Sequence, residues 1–169
     1  MLNPLAVTWS ILGVSALLGC AIYRLSVHVF ALNFSELSDF HWLTLISFSL
    51  FMAYSEGYRG FQKGFSPRVA ARVRYLKNST NLIEMLLSPL FVMGFFNTTR
   101  RRQITVIVLV IMLALLIQLM HFVPSPWRGI IDTGVVIGLT WGLVSFYYFT
   151  WLALTTADFP YSPELSPNK

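Results

Sequence analysis

Long apolar runs alternate with short polar breaks along this chain, and the length of each run predicts what it forms. A stretch of roughly 20 apolar residues, rising about 1.5 Å per residue, crosses the hydrocarbon core of a bilayer. Residues 5–32 exceed that length, so a first span is expected there, tilted or protruding from the membrane. Arg24 and His28 lie one turn apart in its second half, where their polar ends can snorkel to the interface. Residues 33–39 form a short break carrying Glu36 and Asp39 and no basic residue. The next apolar run, about 40–57, is short, but Trp42 and Tyr54 mark its ends as an aromatic belt does.

Residues 54–77 are the only long polar stretch before the tail, and they hold six of the twelve Lys/Arg: Arg59, Lys63, Arg68, Arg72, Arg74 and Lys77. Tyr54, Tyr58, Phe61 and Phe65 fall at i, i+4, i+7 and i+11, one face of a helix that continues the second span. Ser66-Pro67 has the form of an N-cap followed by proline at the first helical position. A second short helix is predicted from there to Leu76. Its apolar positions, Val69, Val73 and Leu76, oppose Arg68, Arg72 and Lys77, the pattern of a helix lying in the interface plane.

Residues 82–96 are apolar but number only 15, with Pro89 near the centre. Asn81 and Glu84 have the spacing of an N-cap and its reciprocal acid. Arg100, Arg101 and Arg102 follow. Residues 104–123 are then an aliphatic run broken only by Thr105, Gln118 and His121, and residues 129–154 form the last apolar run. Residues 157–169 are a Pro-rich tail expected to be flexible.

Composition agrees with a membrane chain. Of 169 residues, 56% are hydrophobic and 11% are charged, where a soluble domain carries about 25% charged. One membrane domain, residues 1–156, uses almost the whole length. The N-terminus lacks the basic region of a signal peptide, so the first span is expected to be retained. The single Cys20 excludes an internal disulfide and any dithiol chemistry.

Charge sets the expected topology. Basic loop residues collect on the cytoplasmic side. The platform 57–81 therefore faces inside. If the broken segment 82–99 dips into the membrane and returns, or lies along its surface, the arginine triplet joins the platform and only Arg128 sits in an outer loop. The expected fold is an all-α integral membrane protein with four transmembrane helices (about 5–32, 40–57, 104–123 and 129–154) plus a short re-entrant or interfacial helix. Both termini are then cytoplasmic, in an inner or plasma membrane. The alternative is five transmembrane helices, with the triplet outside.

Candidate chemistry is sparse. Gly134, Gly138 and Gly142 recur every four residues and clear one ridge for close helix packing, against Gly13, Ala16 and Cys20 of the first span or in an oligomer seam. Asp132 lies one turn inside the last span with Arg128 four residues before it, an available ion pair. Charges within a span mark functional sites by default; Glu56 and Glu84 are further intramembrane charges, but Glu56 has Arg59 as a local partner and Glu84 a capping role, so both read as structural before catalytic. His28, His41 and His121 all fall at the outer end of the expected topology. Three such residues suit a metal, or a pair of them haem, but none shows local ligand spacing. There is no nucleotide-binding loop, catalytic triad order or zinc-protease motif.

Three functions are compatible with these residues. The first is a non-enzymatic accessory, assembly or scaffold subunit. Its basic platform, Arg59 to Lys77 with Arg100, Arg101 and Arg102, would meet anionic headgroups or a protein partner. The second is a small oligomeric transporter or channel using Asp132, Glu84 and the break at Pro89. The third is a metal- or haem-binding membrane protein built on the histidines. The net charge of +5 sits beside apolar spans, so lipid rather than nucleic acid is the expected anion. No residue pattern names a cofactor.

Overall fold

The computed structural model describes residues 2–78, 82–156 and 158–165. It is all-helical, with no strand among the described residues. In order, the elements are α1 (Leu2–Phe30), a 3-10 turn (Phe34–Glu36), α2 (Asp39–Met52), a π-helical segment (Ala53–Phe65), α3 (Ser66–Leu76), α4 (Leu82–Leu86), α5 (Ser88–Met93), α6 (Arg100–Met120) and α7 (Trp127–Thr155).

Three helices, α1, α6 and α7, are long and apolar enough to cross a membrane. The second expected span is not among them. The α-helical part of that run has 14 residues, or about 21 Å at 1.5 Å per residue. It reaches membrane length only through the π segment, which carries Glu56, Arg59 and Lys63. The broken segment forms helices of five and six residues, each far short of a bilayer.

The π segment changes the expected polar stretch most. From Met52 through Ser66 the backbone stays right-handed helical, and the Ser66 N–H donates to the Phe61 carbonyl five residues back. Ser66 makes no side-chain cap, and Phe65 before it is helical too. The expected N-cap start of a separate helix at Ser66-Pro67 is therefore absent: α2, the π segment and α3 form one uninterrupted rod. The wide turn also breaks the aromatic stripe, because it advances less per residue than the about 3.6-residue α turn. Tyr54 and Tyr58 stack as one pair at 5.8 Å, with Lys63 Nζ 4.6 Å above the Tyr58 ring. Phe61 and Phe65 form a second, edge-to-face pair at 5.4 Å, which packs against the core.

α7 is the spine. Its glycines receive the rod in sequence. A Cβ at Gly134 would meet Phe48 at 2.6 Å, one at Gly138 the Glu56 carboxylate at 2.9 Å, and one at Gly142 the Phe61 ring at 2.5 Å. The ridge is thus buried inside the chain, against α2 and the π segment rather than the first span. Gly13 instead faces Pro89 of α5 at 2.6 Å, while Ala16 and Cys20 are exposed. α1 runs antiparallel to α7, with His28 beside Asp132 at one end and Tyr147 Oη donating to Ser15 Oγ farther along.

α3 does not lie with one face open. Val69, Val73 and Leu76 join Val14, Leu18, Phe91, Val92 and Phe146 in the buried core, and Ala70, Ala71 and Arg72 are buried as well. α6 is the opposite case. Its described side chains from Ile107 to Leu119 are all exposed.

Candidate functional site: the arginine knot at the base of the bundle

The chemistry of the molecule gathers where α3, α5, α6 and the tail meet. α5 begins with Pro89 in its first turn, a position that needs no N–H. It ends at Gly94, whose φ of 92° gives the left-handed C-cap that turns the chain. Asn97, at φ 49°, completes the reversal. The turn presents several carbonyls to one point, and Arg72 fills it.

Arg72 is 1% exposed. Its guanidinium donates to Phe91 O at 2.7 Å, Phe96 O at 3.4 Å, Asn97 O at 3.3 Å and Glu164 O at 3.1 Å. It also lies 5.0 Å over the Phe91 ring. Burial and the neighbouring Arg102 guanidinium lower its pKa to about 10, against the pull of Glu164 and Glu84. It remains a cation at neutral pH.

Glu164 brings the tail into this knot. Its carboxylate lies 3.3 Å from Arg68 Nε and 3.5 Å from Arg102 Nε. Its carbonyl also accepts from Thr98 Oγ1 at 3.2 Å. Leu165 packs against the core. The described part of the tail, 158–165, is therefore held at its end by a salt-bridged residue, a feature the proline content conceals.

The basic residues of the expected platform thus divide into three groups. Arg68, Arg72 and Arg102 converge on Glu164. Arg74 donates to Thr156 O at 3.1 Å and, with Lys77 and Asn78, lines a cleft of about 330 Å³ against residues 153–156. Arg59, Lys63, Arg100 and Arg101 are exposed.

The candidate acids occupy three separate places. Asp132, 2% exposed, lies 3.0 Å from His28 Nδ1 and 3.9 Å from Arg128 Nε. The expected ion pair with Arg128 is therefore the longer contact, and His28 of α1 the nearer partner. Glu84 is buried and accepts from Asn97 Nδ2; Asn81, its expected capping partner, lies outside the described residues. Glu56 Oε2 is buried with no hydrogen-bond partner among the described residues, pressed against Gly138.

The histidines do not meet. His28 pairs with Asp132. His41 contacts Ser38 Oγ at 2.9 Å at the start of α2 and sits edge-on to Trp127 at 4.9 Å. His121 Nδ1 lies 2.9 Å from Ile117 O. Among the described residues, no three His, Cys, Asp or Glu side chains come together as a metal site. Each imidazole has a local partner instead, which is the physical reason the expected triad fails to form.

Sequence reasoning found the arginines and missed their anion. The one available signal was Glu164 itself, which with Asp158 is one of two acids in a tail that carries no arginine. Comparison of the chain with family models, with curated proteins and with solved structures finds no match.

Proposed function

We propose that this chain is a small four-span membrane protein with no chemistry of its own, acting as an accessory, assembly or scaffold subunit. Its exposed basic surface, Arg59, Lys63, Arg100 and Arg101, meets anionic lipid headgroups at the cytoplasmic face. The observation that carries the reading is α6. It is a 21-residue apolar helix whose described side chains beyond Val106 lie exposed up to Leu119, and it starts on three arginines. Such a helix is stable only when lipid or another protein's helix covers it, and the arginines sit where it would enter the bilayer.

The four-span arrangement is supported by the two ends of the bundle. Trp127 meets Phe40 and His41 at one end. Arg74 meets Thr156 at the other. This arrangement needs the rod of α2 and the π segment to count as the second span. In a variant with Cys20 replaced by serine, Ser35→Cys is expected to react with a membrane-impermeant maleimide on intact cells. Thr156→Cys should react only after permeabilisation. Labelling of both from one side would exclude this topology.

The lipid role has its own test. Alanine at Arg59, Lys63, Arg100 and Arg101 together should reduce retention of anionic lipid through purification, at roughly 1 kcal/mol per basic residue. Native mass spectrometry of the full chain reads the bound lipid directly. Equal anionic lipid on both proteins at low salt would remove the assignment.

A further inference from the structure

Three arginines from two helices meet a single residue of the tail. Glu164 supplies one negative charge between Arg68 and Arg102, and only its carbonyl to Arg72 and Thr98. The site is therefore richer in positive charge than its occupant is in negative. Guanidinium groups bind phosphate oxygens as well as carboxylates, and in the same geometry. The pocket also stands without the tail: Arg72 keeps its bonds to Phe91, Phe96 and Asn97, and the Arg102 side chain is 17% exposed.

The occupant is the replaceable part. The Glu164 side chain is 38% exposed and that of Arg68 43%, so an external anion can reach Arg68 and the carboxylate can leave to solvent. Glu164 holds a φ of 47°, a left-handed conformation that is costly for a residue with a Cβ and is maintained here by its contacts. Arg102 lies in the first turn of α6, where the helix terminus adds a favourable field for an anion. In the proposed topology that turn is at headgroup level.

Resting on that topology and on the lipid reading above, we infer that Glu164 is an intramolecular stand-in for a phosphomonoester. The tail occupies an anion site built by Arg68 and Arg102, and the phosphate headgroup of an anionic lipid takes the site when the tail lifts. The tail carboxylate and the headgroup then compete, and the exposed Arg59, Lys63, Arg100 and Arg101 gather anionic lipid around the site without entering it.

The test uses the full chain in nanodiscs of neutral lipid, titrated with phosphatidate, with a phosphodiester lipid of the same acyl chains, and with inorganic phosphate. Glu164→Gln should bind phosphatidate about tenfold more tightly than the wild type, within the usual range of coupling between two sites. Adding Arg68→Gln and Arg102→Gln should erase that gain. Because coupling is reciprocal, phosphatidate should also speed proteolysis of residues 158–163 in the unaltered protein, a readout that needs no variant. An equal gain for the phosphodiester lipid would overturn the phosphomonoester assignment. An equal gain for inorganic phosphate would overturn the lipid source. If Glu164→Gln leaves phosphatidate affinity and tail proteolysis unchanged while Arg59, Lys63, Arg100 and Arg101 still carry lipid, this competition is excluded and the lipid reading stands. If no variant retains anionic lipid, both fall.

Discussion

Arg72→Ala is expected to lower folding stability by about 3–5 kcal/mol, the upper end of what one substitution does. The cost has two sources. Phe91 is fully buried, and the Arg72 bond to its carbonyl is buried with it. Removing the donor leaves that carbonyl only the Gly94 N–H at 3.0 Å and forfeits a hydrogen bond to a charged group, at about 1.5–3 kcal/mol, and the bonds to Phe96, Asn97 and Glu164 are lost with it. The second source is the cavity left where the guanidinium covered the Phe91 ring. Arg72→Lys keeps the charge but cannot reach several carbonyls at once with one ammonium, so it should recover only part of the loss. Arg59→Ala, on the exposed side of the rod, should stay within about 0.5 kcal/mol of the wild type. Thermal unfolding in detergent, followed by tryptophan fluorescence, measures all three. If Arg72→Ala unfolded at the same temperature as Arg59→Ala, the knot would not hold the base of the bundle together.

Two cues carried most of the fold that was legible in advance. Runs of 20 or more apolar residues announced α1, α6 and α7, because a helix in lipid must satisfy its backbone internally and show apolar side chains outward. Glycine every fourth residue announced that α7 would be closely packed. Its partner was hidden, since a smooth ridge accepts any shape that fits. Phe48, Glu56 and Phe61 supply that shape here, and none of them carries a small-residue pattern. The π segment was hidden for a related reason. The spacing of Tyr54, Tyr58, Phe61 and Phe65 matches an α-helical face, and nothing local forbids that helix. The wider turn separates the four rings into an outward pair and an inward pair.

The arginine knot was half legible. Six basic residues in one stretch read as a solvated or lipid-facing platform, which suits Arg59 and Lys63. It fails for Arg72, because a buried cation is tolerated only where carbonyls converge on it. Those carbonyls come from the last turn of α5, the turn after it and the tail, far away in sequence, and a pattern search sees no such convergence. The histidines erred in the other direction. Their shared end of the bundle was predicted from topology alone, and sharing an end is a weaker condition than sharing a coordination sphere.

Gly142→Ala should destabilise by about 1–3 kcal/mol, with Gly142→Val at the top of that range. The new Cβ would stand 2.5 Å from Phe61 Cγ and 2.6 and 2.7 Å from its two Cδ atoms. It meets the body of the ring rather than a flexible end. The ring has little room to yield, because Phe65 packs edge-on against it and both rings lie against the core. Gly138→Ala meets the Glu56 carboxylate at 2.9 Å, the mobile end of a long side chain, so a smaller loss is expected there. Gly19→Ala is the control. Nothing lies within 4 Å of its new methyl group, and alanine in place of glycine inside a helix gains up to about 1 kcal/mol. The cause can be separated from the effect by shrinking the ring: Phe61→Leu in the Gly142→Ala background should restore part of the loss, a coupling that only residues in contact display. Unfolding temperatures of the two single variants and the double variant form the cycle. Simple additivity of the two losses would mean that α7 and the π segment do not meet at Gly142.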